Sequence, residues 1–294
     1  MRLISWNVQW GRSAEGVVDL ARTVREARQF GDFDVLCMQE VTRGFGALPG
    51  HPGDDQFAEL EALLPGYTVI DAIGADLPPL APVSNAALGA ESGKKRRQFG
   101  NAIATRLPVG LAIRHALPWP VDPRAPSMQR VALEAVLQSD IGALRVLVTH
   151  LEFYSEQQRL AQVDALRRLQ QEAAAHAARP APAENDSGPF AATARPASAI
   201  VCGDFNSPFD SAAYHRMLEP IPDSPRFVDA WATLHPGKTP PPSAGVYDKE
   251  QWSSGEMTCD FVFVTEDLRG RLRRCDIDPH SHASDHQPLI VEFA

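Results

Sequence analysis

Short apolar runs closed by a polar or charged residue recur along this chain. Residues 2–8 form the first and contain Ser5-Trp6-Asn7-Val8. Residues 34–39 are a nearly unbroken apolar run leading into Met38-Gln39-Glu40, the pattern of a strand buried on both faces. Between them, Val17, Val18, Ala21, Val24 and Ala27 are spaced as on one face of a helix over residues 14–30. A short helix is expected over 56–64, stopped by Pro65-Gly66, with strands over 67–72 and 101–105. Residues 131–138 and 144–149 flank Ser139-Asp140-Ile141-Gly142 and read as a hairpin with a loop of four or five residues. Ser155-x-x-Gln158 is a capping box for a helix running to about residue 178, with Leu160, Val163, Leu166 and Leu169 on its apolar face. The run 199–202 follows and leads into Gly203-Asp204-Phe205-Asn206.

Three segments break the pattern. Residues 73–99 carry Pro-Pro, Gly and Ala and then Lys94-Lys95-Arg96-Arg97, and read as a long loop. Residues 179–198, rich in Pro, Ala and small polar residues, read as a mobile insertion, and 235–256, with Pro240-Pro241-Pro242, as a second irregular segment. Strands mixed with helices, without regular crossovers or internal repeats, indicate α/β layers with mixed sheets in one domain spanning 1–294.

Composition narrows the function. A chain of 294 residues that is 44% hydrophobic can bury a full core. Its formal net charge of −9 argues against broad, charge-driven adhesion to nucleic acid or anionic lipid, although a local basic patch remains open. No apolar stretch approaches the roughly 20 residues that span a bilayer, and the first residues lack a signal-peptide pattern. Cys37, Cys202, Cys259 and Cys275 form no Cys-x-x-Cys pair, and buried free thiols in a reduced, cytoplasmic compartment are the expectation. His280 and His282 suggest zinc, but no fourth ligand follows at a suitable spacing.

The polar strand ends carry the chemistry. Cleaving a phosphoester requires neutralised phosphoryl oxygens, an aimed water and a stabilised leaving oxygen. Glu40, with Asn7 and Asp285 as neighbours, has the oxygen donors that magnesium prefers. Asp204 and Asn206 can hold and polarise one water, and Asp260 can fix the tautomer of His286. Each fragment alone has a plainer explanation: a solvated strand-end acid, an Asx turn, an incidental histidine.

Taken in order, Ser-Trp-Asn-Val, Gln-Glu, Gly-Asn-Ala-Ile (100–103), Thr-His-Leu (149–151), Gly-Asp-Phe-Asn, Cys-Asp-Phe-Val-Phe-Val (259–264) and Ser-Asp-His-x-Pro (284–288) resemble the endonuclease/exonuclease/phosphatase family. The resemblance implies a DNase I-like fold, a four-layered α-β-β-α sandwich of two mixed β-sheets, and a metal-dependent phosphoester hydrolase. By position it makes Glu40 the principal ligand of Mg²⁺, with Mn²⁺ as a possible substitute, and puts Asn7 and Asp285 in or beside the ion's shell. Asp204 would orient the attacking water with Asn206, His286 would contact the phosphate while held by Asp260, and His150 would be a second phosphate-facing histidine. Arg130 and Asn101 would be further phosphate contacts. Cys259 departs from the pattern, since an aliphatic residue is common before the aspartate, as does Gln287, where a small residue often follows the histidine.

The family's substrates are diverse, so its loops choose among them. The basic run 94–97 beside a loop bearing Tyr247 and Trp252 could seat a DNA backbone and stack a base, which favours a nuclease or DNA-repair phosphodiesterase. The alternatives are a phosphatase or phosphodiesterase for a small molecule or lipid headgroup, and a catalytically silent binding module. No obligate protein partner is implied, and a monomer is the default.

Overall fold

Strands β1 (Arg2–Asn7) and β2 (Val35–Arg43) run parallel, with Leu3 opposite Val35 and Asn7 opposite Gln39. Around them the computed structural model, which describes residues 1–79, 96–182 and 187–294, places β3 (Thr68–Leu77), β4 (Arg97–Thr105), β11 (Leu272–Ile277) and β12 (Leu289–Phe293) in one sheet of order β11-β12-β1-β2-β4-β3. A second sheet holds β5 (Val109–Ala116), β6 (Val131–Ser139), β7 (Gly142–His150), β8 (Ala199–Asp204), β10 (Asp260–Thr265) and β9 (Phe227–Asp229), in the order β5-β6-β7-β8-β10-β9. Here β7 and β8 pair in parallel and the other neighbours are antiparallel. Both sheets are therefore mixed.

The unbroken apolar runs follow from burial on both faces. Leu3, Val35, Cys37 and Ile103 of the first sheet meet Leu133, Val146, Val148, Ile200, Cys202 and Val262 of the second in a shared core. Their sequence neighbours point outward. Ile4, Trp6, Leu36 and Met38 pack under helices α1 (Leu20–Gln29) and α2 (Gln56–Leu63). Leu147, Val201 and Phe263 pack under α3 (Glu156–Ala178) and α4 (Ala212–Leu218). The result is the four-layered sandwich expected. A last short helix, α5 (Ala230–Leu234), follows β9.

Several boundaries differ from expectation for local reasons. Helix α1 starts at Leu20 rather than residue 14, because the Asp19 side chain caps it by accepting from Arg22 N at 2.9 Å. The hairpin loop is tighter than expected: Ser139 pairs with Gly142, leaving only Asp140 and Ile141 in the turn. Ser155 does cap α3, accepting from Gln158 N, but the Gln158 side chain donates to Pro120 O instead of closing the box. Strand β3 continues to Leu77 and β4 begins at Arg97, so the loop read over 73–99 is shorter at both ends. In 179–198, Arg195 is buried and paired with Glu134 and Glu172, which anchors the end of a segment read as mobile. Lys94 and Lys95 of the basic run, and residues 183–186, lie outside the described residues.

Parallel pairing sets the site. Because β1 runs with β2 and β7 with β8, their carboxyl ends open on the same rim, where Asn7, Glu40, His150 and Asp204 stand. Asp260 joins them because β10 is antiparallel to β8, with Asp260 opposite Asp204. Gly203 is needed there: its φ is +137° and a Cβ would sit 1.9 Å from Thr149 O across the ladder.

Candidate active site

Glu40 stands on a β-bulge. The β2–β4 register shifts between Gln39 and Val41, and Glu40 takes φ of 62°, a left-handed conformation rare for a residue with a long side chain. The bulge turns its carboxylate out of the ladder toward the rim, where it is 16% exposed. Asn7 is fully buried and bridges the two sheets: its Nδ2 donates to Glu40 Oε1 and to Asp204 Oδ2, each at 3.0 Å. Its Oδ1 accepts from Gln9 N, so the amide faces the carboxylates as a donor.

Asp204 is buried, and its Oδ1 accepts from Asn206 N at 2.7 Å. The Asn206 side chain donates to Leu151 O. An Asx turn is thus present, and it aims the carboxylate: Oδ2 faces His150 Nε2 at 3.5 Å and His286 Nε2 at 3.7 Å. Burial, together with the charge of Asp260, pushes Asp204 up to about 6 against the pull of His286. Burial and Asp285 push Glu40 up to about 7.

The histidines differ in charge. Burial favours a neutral His286, but the carboxylates of Asp260, Asp285 and Asp204 outweigh it and raise its pKa well above the ordinary range. Its Nδ1 lies 2.8 Å from Asp260 Oδ2. His150 is driven well down by burial and by Arg130 and His286, and so stays neutral. Its ring lies 6.1 Å from that of Phe99.

Arg130 is buried and holds Glu152 Oε2 at 3.4 Å through Nε, while its Nη1 is buried without a hydrogen-bond partner among the described residues. Asn101 donates to Val131 O, tying β4 to β6 beside Arg130, so its amide donor is engaged by backbone. Asp285 accepts from Trp252 Nε1 at 3.0 Å. Every candidate residue therefore lies on one rim or directly behind it.

Sequence reasoning missed three supporting groups. Ser243 Oγ accepts from the backbone N–H of Cys259 and of Asp260 and donates to Asp260 Oδ2 at 2.7 Å. No sequence signal marks it. Glu152, which holds Arg130, follows Thr-His-Leu directly and could have been suspected from that position. Trp252, read as a base-stacking residue, is instead built into the site: it holds Asp285 and meets the His286 ring edge-on at 5.5 Å. Tyr247 likewise stacks on His282 at 3.7 Å and donates to Pro279 O. Of the basic run, Arg96 is paired with Asp76, and Arg97 donates to Pro78 O and lies over Phe45. An exposed edge-to-face pair, Phe153 and Tyr154, follows His150 by three and four residues.

The donors suit a hard divalent ion. Carboxylates of Glu40, Asp204 and Asp260 gather at the rim with Asp285 nearby, and burial, with the charges of Asp285 and Asp204, raises Glu40, a state that a bound cation would relieve. Glu40, His150 and Asp204 offer donor atoms within 4.8 Å of one another, as do Asp204, Cys259, Asp260 and His286. Asp285 stands outside both groups, although its charge is felt at Glu40.

The model of the endonuclease/exonuclease/phosphatase family matches residues 4–286. The chain belongs to that family. Its members hydrolyse phosphoester bonds, and the chain is an enzyme of that class. No curated protein matches it by sequence. Among solved structures, an endonuclease/exonuclease/phosphatase from Beutenbergia cavernae is similar at 19% identity and a TM-score of 0.66, over all of this chain and 72% of that one. A mannosyl-6-phosphatase from Bacteroides thetaiotaomicron is 16% identical, with a TM-score of 0.59 over 100% and 99% of the two chains. A 3′ phosphatase from Neisseria bound to product DNA hairpin is 15% identical, with a TM-score of 0.60 over 100% and 99%. Identities this low establish the fold and leave the substrate open. Among the described residues no helix is long and apolar enough to cross a membrane.

Proposed function

We propose that this enzyme hydrolyses phosphoesters of nucleic acid, DNA foremost, with the help of a bound Mg²⁺ or Mn²⁺ ion. The observation that carries the chemistry is the Asn7 bridge, which holds Glu40 and Asp204 from opposite sheets at 3.0 Å each. Glu40 would hold the ion, with His150 or Asp285 beside it. When bound, the ion neutralises charge on phosphoryl oxygens and on the leaving oxygen.

The chain's own residues do the rest. Asp204, raised to about 6, accepts a proton from the attacking water, with Asn206 N–H fixing which oxygen faces it. His286, kept cationic by Asp260, donates to a phosphoryl oxygen through Nε2. Neutral His150 and the unpartnered Nη1 of Arg130 are further donors for the phosphate. Asn7 and Asn101 serve as positioning residues.

The Phe153–Tyr154 pair supports a nucleic-acid substrate, because an exposed ring pair just beyond the phosphate groups can stack a base. A small phosphomonoester is the second reading, favoured by the internal engagement of Arg96, Arg97 and Trp252 and by the net charge of −9. An abasic-site duplex, a 3′-phosphorylated duplex, single-stranded DNA and a sugar phosphate, each with Mg²⁺, separate the two. Faster turnover of the nucleic acids, lost in Phe153→Ala, supports the first reading, and turnover of the sugar phosphate alone overturns it.

A further inference from the structure

Among the described residues, Cys259 is the one soft ligand in the donor groups at the rim. Its Sγ lies 3.6 Å from Asp260 Oδ2, and its side chain is completely buried. Together with Asp204, Asp260 and His286 it gives four donor atoms, one sulfur, one nitrogen and two oxygens, all within 4.8 Å of one another. Four ligands placed tetrahedrally around zinc at ~2.0–2.3 Å stand roughly 3.3–3.8 Å apart. Atoms up to 4.8 Å apart must close to that range, so binding draws the four side chains together. His286 Nδ1 and Asp260 Oδ2 are 2.8 Å apart, so both ligate one ion by giving up the hydrogen bond between them. The second observation is Asp260 Oδ1: it is buried and has no hydrogen-bond partner among the described residues, on a residue only 2% exposed. A buried carboxylate oxygen without a donor is costly, and a coordinated cation satisfies it.

We propose that Cys259, Asp260, Asp204 and His286 form a thiolate-containing transition-metal site that takes Zn²⁺, adjoining the hard-ion position at Glu40 and sharing Asp204 with it. Burial beside Asp204 and Asp260 keeps the thiol protonated when it is alone, and coordination reverses this: the thiol loses its proton to solvent as the metal–sulfur bond forms, and the His286 imidazolium likewise gives up to solvent the proton on its coordinating nitrogen. A soft sulfur ligand selects zinc or cobalt over magnesium, whereas the Glu40 group contains no sulfur. Zinc here occupies the two groups assigned to the water and the phosphate, so it switches turnover off while Mg²⁺ supports it. That consequence rests on the proposed function; the binding does not.

The test uses the metal-free full chain. Zn²⁺ affinity is read by competition with a chromophoric chelator, and Co²⁺ replaces zinc to report sulfur ligation by its near-ultraviolet charge-transfer band. The parent should bind one Zn²⁺ and show the band with Co²⁺. Cys259→Val should lose the band and weaken Zn²⁺ binding by roughly 100-fold or more, beyond the 10–100-fold typical of groups that only orient a ligand. His286→Ala should weaken it similarly, which keeps the test valid if the cysteine variant fails to fold. Mg²⁺-dependent turnover should be inhibited by Zn²⁺ in the parent and resist it in Cys259→Val. Absence of the band in the parent, or Zn²⁺ affinity unchanged in both variants, overturns the site. If the band is present but no phosphoester is turned over, the metal site stands and the activity assignment fails.

Discussion

Replacing Asp260 with asparagine removes a charge and almost nothing else. Asp260 Oδ2 accepts from both His286 Nδ1, at 2.8 Å, and Ser243 Oγ, at 2.7 Å, while Oδ1 has no partner among the described residues. An asparagine can put its oxygen at Oδ2 and keep both contacts. What disappears is the negative charge that offsets the burial of cationic His286. Turning the charge-assisted bond into a neutral one costs about 1–2 kcal/mol, and the lost attraction at ~4 Å approaches about 4 kcal/mol at an effective dielectric constant near 20. With about 1.4 kcal/mol per tenfold, kcat should fall by roughly 10- to 1000-fold if imidazolium is the form that holds the phosphate. The new NH₂ fills the partnerless Oδ1 position, where a buried unsatisfied donor costs about 1–3 kcal/mol of stability. A loss of Tm by several degrees with cooperative melting should therefore accompany the fall in kcat. Steady-state turnover of bis-p-nitrophenyl phosphate with Mg²⁺, alongside a thermal melt, reads both. A folded Asp260→Asn enzyme with kcat within about threefold of the parent refutes the charge argument.

Other consequences follow from the same geometry. Burial alone would raise Glu134, but His115, Arg195 and Arg145 outweigh it and hold it at about 2. This depressed carboxylate contributes stability above its unfolded pKa, and loses it as pH falls from about 4.5 to 2, a contribution on the order of 3 kcal/mol. Glu134→Gln should lower Tm near pH 6 and converge with the parent toward pH 2; a constant difference across that window sinks the point. Trp252→Phe keeps the ring against His286 but drops the bond to Asp285, and the Mg²⁺ concentration for half-maximal turnover should rise by roughly 10- to 100-fold. An unchanged metal dependence would show that Asp285 needs no such support. Mg²⁺ or Mn²⁺ at about 100 times its Kd should add about 2.7 kcal/mol of stability in the parent and little in Glu40→Gln. Equal Tm shifts in both would place the ion elsewhere.

The sandwich is legible in the sequence because its central strands are buried on both faces. The runs at Leu3–Trp6, Val35–Met38 and Ile200–Cys202 cannot be mistaken for solvent-facing segments. The edge strands β5 and β11 carry no such run and escape a reading of this kind. Strand β5 is only partly buried along its length, and in β11 the buried Leu272 is followed by exposed Arg273 and Arg274. The candidate site is legible as a set of polar residues at strand ends, because parallel pairing brings such ends to one rim. What no pattern carries is orientation. The bulge that turns Glu40 outward and the direction of the Asn7 amide depend on the register of β2 against β4 and on Gln9. Ser243 and Trp252 arrive from the irregular segment 235–256, where no periodicity predicts a contact.

The most direct test of the assignment is metal-dependent release of p-nitrophenol from bis-p-nitrophenyl phosphate by the parent and by Asp204→Asn. The parent should turn over with Mg²⁺ or Mn²⁺ and stop with EDTA. The variant is nearly isosteric and can keep its oxygen on Asn206 N. It should be slower by roughly 100-fold or more, within the range typical of a lost general base. Turnover that survives EDTA, or an Asp204→Asn enzyme as fast as the parent, would contradict it.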